Sequence, residues 1–218
     1  YEDGETAIYY LMVGNDNYIM PKMPEGCKEG IIKGIYKFRT KESEQGKHRV
    51  QLFGSGAIMN CVLKAQEILA DQYGVSSDVW SVTSYNELRR DAQECKRWNM
   101  FHPTMEPRKS YLETVLEGSE GPFIASSDYV QAHSEQVAQF LPDDFLALGT
   151  DGMGRSETRP ALRRHFEVDA ECVVWASLYL LAKQGKFEME KVEKVRTGKL
   201  RGGDVGKIKA EEKMGRTR

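Results

Sequence analysis

The chain has 218 residues, of which 40% are hydrophobic and 29% charged, and its formal net charge is −2. That balance suits a globular protein of one large domain, or one domain with pieces of another. The small negative charge argues against general electrostatic binding of nucleic acid or an anionic membrane surface. The longest apolar runs, such as Ile8 to Val13 and Cys172 to Ala176, are too short to span a bilayer.

In chain order, residues 7–13 contain Ile-Tyr-Tyr-Leu-Met-Val, rich in β-formers, and predict a strand closed by Asn15-Asp16-Asn17. Pro21 and Pro24 keep the next stretch extended. A short helix is expected over Glu25 to Ile32 and a short strand over Ile35 to Arg39. Residues 41–47 are polar and contain Gly46, which places a domain boundary there.

Beyond that boundary strands and helices alternate. Val50 to Phe53 predicts a strand, Gly54-Ser55-Gly56 a turn, and Ala57 to Tyr73 a long helix. Ile58, Cys61, Val62, Ala65, Ile68 and Leu69 recur in it at helical spacing. Gly74 supplies its stop. Val79 to Val82 is the next strand. Ser84, with Glu87 three residues on, predicts a capped helix from Tyr85 to about Trp98, followed by a loop with Pro103 and Pro107. Then come a short helix over Tyr111 to Leu116, a strand over Phe123 to Ala125, a helix over Val130 to Phe140 and a strand over Phe145 to Leu148. A glycine loop leads to a helix near Arg159 to His165. Asp169 caps a last long helix from Ala170 to Lys183, ended by Gly185. One more helix reaches about Val195, and the charged remainder reads as a mobile tail. This rhythm predicts an α/β fold, a mostly parallel sheet with helices on both faces.

The four cysteines, Cys27, Cys61, Cys95 and Cys172, form no Cys-x-x-Cys pair and no zinc spacing. Reduced thiols in a cytoplasmic protein are expected, with Cys61 and Cys172 buried as small hydrophobes. No signal pattern opens the chain. It begins without methionine, so a piece of something longer is expected.

Two glycine-bearing loops are the candidate sites. Gly54-Ser55-Gly56 lies between a strand and a helix, where free N–H groups and the helix dipole favour an anion. It lacks the third glycine of a dinucleotide fingerprint and any Lys-Ser or Lys-Thr pair. Tight helix-on-sheet packing is the preferred account. The second loop, Gly149 to Ser156, holds three glycines with Asp151, Arg155 and Ser156. It is either an anion-binding concavity or, preferably, a helix entrance in which Ser156 caps and Arg155 pairs with Asp151 or a neighbouring domain. His165 ends the following helix, where the dipole favours a cation. His48, His102, His133 and His165 are not spaced for metal, and no serine or cysteine stands in a nucleophile motif. Trp98, Met100 and Phe101, with Met12, Tyr18, Met20 and Met23, give apolar surface to segments that read as loops. An interface with other domains or a second subunit is preferred for them over a core.

Several segments together resemble a known family. They are Asn15-Asp16-Asn17-Tyr18, Met20-Pro21-Lys22-Met23-Pro24-Glu25-Gly26, Glu29-Gly30-Ile31-Ile32-Lys33-Gly34-Ile35-Tyr36, Val50 to Gly56, Asp78 to Ser84, Arg97-Trp98-Asn99-Met100-Phe101-His102-Pro103, and Gly149 through Ala170. In this order, over roughly residues 8 to 185, they resemble the C-terminal part of the homodimeric bacterial pyruvate dehydrogenase decarboxylating component, of the transketolase-like superfamily. The resemblance implies a three-layer α/β/α domain with a mixed, mostly parallel five-stranded sheet. It implies the end of a middle, pyrimidine-binding domain over 1–45, the C-terminal domain over 46–185 and a charged tail over 186–218. It also implies a thiamine diphosphate and magnesium enzyme of a multienzyme complex, which decarboxylates pyruvate and reductively acetylates the lipoyl group of an acyltransferase partner. Neither cofactor is expected on this chain alone, and no catalytic residue is carried over. The expected role is scaffolding and dimer assembly with the remaining domains and a second subunit. Gly54, Ser55, Gly56, Asp151, Arg155, Ser156 and His165 are then candidates for anion-binding or interdomain contacts. Two alternatives stand beside this: a non-catalytic anion- or nucleotide-binding regulatory module, and the last domain of another transketolase-like enzyme.

Overall fold

The computed structural model describes residues 4, 6, 8, 17–19, 21–44, 46 and 48–200. The strand expected over 7–13 and the tail beyond 200 lie outside those residues, apart from position 8.

The central strands carry continuous apolar runs because both of their faces are covered. β2 (His48–Gly54) is buried from Val50 onward. It pairs in parallel with β3 (Val75–Val82), Leu52 opposite Val79. On its other side it pairs in parallel with β4 (Phe123–Ser126), Leu52 opposite Ile124. β5 (Phe145–Leu148) continues the parallel set beside β4. β1 (Ile35–Lys41) runs antiparallel to β3, with a bulge between Lys37 and Arg39. The sheet is therefore five-stranded and mixed, in the order β1-β3-β2-β4-β5.

Alternation along the strands feeds two cores. Val50, Leu52, Val79 and Ile124 face α2 (Met59–Tyr73), α7 (Ala170–Lys183) and α8 (Met189–Leu200). Phe53, Trp80 and Phe123 face α3 (Tyr85–Phe101) and α4 (Tyr111–Val115), with Phe53 and Phe123 edge to face at 5.5 Å. Helices thus cover both faces. The remaining helices are short: α1 (Lys28–Lys33), α5 (Gln131–Glu135) and α6 (Arg159–His165).

The second core is closed at its edge by a polar network. Asp78 is 5% exposed. Its carboxylate accepts from Thr40 Oγ1 at 2.5 Å, Arg49 Nη1 at 3.3 Å and Gln51 Nε2 at 3.3 Å, and pairs with Lys37 at 3.5 Å. Gln51, fully buried, accepts in turn from Trp80 Nε1 at 2.8 Å. These bonds tie β1, β2 and β3 together.

Several expectations are corrected. β3 starts at Val75, not Val79, because Ser76, Ser77 and Asp78 are buried polar residues. The helix expected over 130–140 breaks into α5 and a single 3₁₀ turn over Ala138–Phe140. The Ser134 hydroxyl bonds the Gln131 carbonyl at 3.1 Å there, a local alternative to the helical ladder. α3 continues through Phe101, so the aromatic segment is its last turn and not a loop. Ser84 caps α3 by accepting from Glu87 N, whereas both halves of a capping box are present at Ser110 and Glu113. β1 lies N-terminal to the boundary expected at 45 yet is a strand of this sheet. α8 runs on to Leu200, and its Val192 is buried in the first core.

Candidate functional site

The turns that follow β2, β4 and β5 all lie at the carboxyl edge of the parallel strands. The chain leaves β2 through α2, on the first-core face, to reach β3 on one side. β4 lies on the other side of β2, and its chain leaves through α5 toward β5. Strand order therefore reverses between β2 and β4. In open α/β sheets such a switch point leaves a crevice outside the strand ends, the usual place for a ligand. Here it is a cleft of about 380 Å³ whose walls include Ile58 after β2, Asp128 after β4, Thr150 after β5, and Arg155, Arg159 and Arg163.

Tyr18 comes from far away in sequence to meet these arginines. Arg163 Nη2 donates to its hydroxyl at 3.0 Å. The Arg159 and Arg163 guanidinium groups lie 5.6 and 5.7 Å from its ring centre, a cation–π arrangement. Arg155 and Arg163 form no ion pair among the described residues. Arg163 also acts on Cys61: burial pushes that thiol up, and the guanidinium pulls it partly back. Arg159 and Arg163, four apart on α6, are neighbours of like charge and favour an acceptor between them. Guanidinium groups in a cleft are suited to bidentate capture of carboxylate or phosphate.

The second glycine loop is built by backbone proximity. A Cβ on Gly149 would lie 2.5 Å from the Tyr129 carbonyl oxygen, so only glycine lets the chain pass. Thr150 N then donates to that same carbonyl at 2.7 Å. Asp151 Oδ1 accepts from Gln131 N at 3.0 Å, at the start of α5. Asp151 therefore stitches the loop to α5 and does not pair with Arg155. Ser156 is not the cap of α6 either. The N-cap is Thr158, without a side-chain bond, and Pro160 stands in the first turn. His165 does end α6, its ring edge-on to Phe166 at 4.9 Å, but it is not part of the cleft wall.

The first glycine turn faces two ways. A Cβ on Gly54 would meet Met59 Sδ at 2.6 Å, which is the tight packing expected of it. Ser55 Oγ donates to the Val82 carbonyl at 3.1 Å, and Gly56 opens a 3₁₀ turn at positive φ. Of the expected site residues the structure thus places Arg155 in the cleft wall and leaves Gly54, Ser55, Gly56, Asp151, Ser156 and His165 outside it. Arg159, Arg163, Tyr18 and Asp128 were missed as site residues. The four-residue repeat of arginine over 155–163 was the available signal.

At the other end of α3, Trp98 and His102 stack at 4.3 Å and Arg108 lies 4.0 Å from the Trp98 ring. Met100, Phe101 and Met105 there are 67%, 59% and 57% exposed. Among the described residues no three His, Cys, Asp or Glu side chains converge as a metal site. Among the described residues no helix is long and apolar enough to cross a membrane.

Residues 34–169 match the model of the transketolase-like TK C-terminal domain. The chain is 53% identical over 192 residues to the pyruvate dehydrogenase E1 component of Escherichia coli K12, covering 88% of this chain and 21% of that protein. It is 46% identical over 188 residues to the E1 component of Pseudomonas aeruginosa, covering 86% of this chain and 21% of that one. The chain spans about a fifth of the length of the curated relatives it matches. Among solved structures, a transketolase from Pichia stipitis superimposes with a TM-score of 0.50 at 15% identity, over 77% of this chain and 21% of that one. That likeness concerns the fold alone.

Proposed function

The chain belongs to the transketolase-like C-terminal domain family, and from that premise we propose that it is the C-terminal unit of a pyruvate dehydrogenase E1 component. The observation that carries this reading is the 53% identity over 192 residues to an E1 component, over nearly the whole chain. In this reading the enzyme decarboxylates pyruvate with thiamine diphosphate and magnesium, and passes the two-carbon unit to a lipoyl group of the acyltransferase partner. The cofactors sit on other domains. This unit scaffolds the active site and supports dimer assembly in a cytoplasmic complex. It includes β1, which completes its sheet, and α8, whose Val192 is buried in the first core.

Two surfaces serve that role. The arginine cleft receives an acidic segment of a neighbouring domain, as its guanidinium groups and Tyr18 are placed to do. The Met100, Phe101 and Met105 surface packs on another domain or subunit, since large apolar side chains exposed together mark interaction sites. The test is an assay of the purified chain with pyruvate, thiamine diphosphate, magnesium and an artificial electron acceptor. No turnover is expected, and measurable turnover by the chain alone would overturn the scaffold role.

A further inference from the structure

A second groove opens on the far side of the Ser55–Gly56 turn, above the N-terminus of α3. It encloses about 600 Å³ between Ser55, the end of β3, the first turn of α3, and Tyr129 and His133. Its lining contains no carboxylate, lysine or arginine.

The telling group is Tyr85. Its side chain is 2% exposed, and its hydroxyl is buried without a hydrogen-bond partner. A buried tyrosine ordinarily finds one. The Ser55 hydroxyl is close enough to act on the phenol but lies outside hydrogen-bonding geometry, and its proton goes to the Val82 carbonyl. Burial pushes the phenol far above its ordinary pKa, so it stays a donor throughout the physiological range. His133 holds the ring edge to face at 5.4 Å, and the Tyr129 ring lies tilted against that imidazole at 4.9 Å.

Other donors converge on the same space. α3 is 17 residues long, so its N-terminus carries a developed dipole. Glu87 N is satisfied by Ser84 Oγ and Leu88 N by Ser84 O. The N–H groups of Tyr85 and Asn86 precede them and are among the helix's unpaired donors. Asn86 Oδ1 accepts from Gln136 Nε2 at 3.1 Å, which leaves the Asn86 amide N–H for the groove.

We propose that this groove binds a small oxyanion, a carboxylate or a phosphate, with the Tyr85 hydroxyl, the Asn86 amide, the His133 imidazole and the first-turn N–H groups of α3 as its donors. The site does not depend on the E1 assignment. Its occupant neutralises the helix end and supplies the acceptor that the phenol lacks.

The experiment uses the purified chain. Inorganic phosphate and acetate are titrated separately at constant ionic strength, with chloride as the reference, while the amide resonances of Tyr85 and Asn86 are followed. Saturable shifts with either anion and none with chloride are expected, and the anion that saturates identifies the class. Tyr85→Phe weakens that binding about ten-fold, as loss of one hydrogen bond to a charged group does. It unfolds, free of anion, at an unchanged or higher urea concentration. Asn86→Asp, at an exposed position, abolishes binding with the fold intact. Absence of saturation for both anions, wild-type affinity in either variant, or a Tyr85→Phe protein less stable without anion would each overturn the proposal. The last result would mean that the hydroxyl is already satisfied within the protein.

Discussion

Replacement of Asp78 by alanine tests whether the polar network, and not apolar contact alone, secures the antiparallel edge of the sheet. The carboxylate is 5% exposed and answers Thr40, Arg49, Gln51 and Lys37. Breaking a buried charge pair by deleting one partner costs about 3–5 kcal/mol. Lys37 and Arg49 retain 46% and 24% side-chain exposure, so water relieves part of the loss. Arg49 also keeps Glu42. Gln51, though fully buried, keeps the Glu120 carbonyl as an acceptor for its Nε2 at 2.9 Å. The expected cost is therefore at the lower end, about 3 kcal/mol. For a chain of this size that lowers Tm by roughly 6–12 °C. Urea unfolding followed by circular dichroism reads it as a lower midpoint at unchanged slope. Asp78→Asn, which keeps an acceptor, loses about half as much. Lys37→Ala loses less than about 1 kcal/mol, as exposed pairs do. An Asp78→Ala protein within about 0.5 kcal/mol of wild type, the behaviour of a surface substitution, would refute the argument.

Gly149→Ala forces a Cβ to 2.5 Å from the Tyr129 carbonyl; overpacking of this kind costs about 1–3 kcal/mol, and unchanged urea unfolding would show that the loop shifts freely. Tyr85 has a folded pKa raised above its ordinary 10.0, so the unfolded chain releases that proton first; its contribution is intact below pH 10 and lost as pH rises past it. Urea midpoints of wild type and Tyr85→Phe should therefore diverge above pH 10, and parallel curves to pH 11 would count against the burial. Met100→Lys and Phe101→Glu sit at exposed positions and should leave stability within about 0.5 kcal/mol of wild type; a larger loss would mean that the surface is part of the core.

The strands and helices with largely apolar patterns were legible to within about two residues at their ends. β2 and α2 are such elements, since both periodicities follow directly from burial. β3 was legible only in its second half. Ser76, Ser77 and Asp78 look like loop residues but are satisfied from elsewhere: Ser43 N donates to Ser76 Oγ at 3.0 Å, and Gln66 Nε2 to the Ser77 carbonyl at 2.9 Å. No local pattern encodes such partners. The site divides in the same way. The glycine turns and Arg155 could be read in order along the chain. The cleft itself depends on strand order, on Asp128 beyond a different strand, and on Tyr18, 145 residues from the Arg163 that it meets. Ser156 was misread because a serine near a helix start resembles a cap, while the helix begins two residues later at Thr158 with Pro160 fixing its first turn.

The assignment is tested most directly by a chimera. The matching fifth of the Escherichia coli E1 component is replaced by this chain, and pyruvate turnover is measured with thiamine diphosphate and magnesium. At 53% identity the cores and interfaces should be compatible, and the account predicts a dimeric chimera turning over within about ten-fold of the parent, a loss of some 1.4 kcal/mol in transition-state stabilisation. A folded, dimeric chimera without turnover would contradict it.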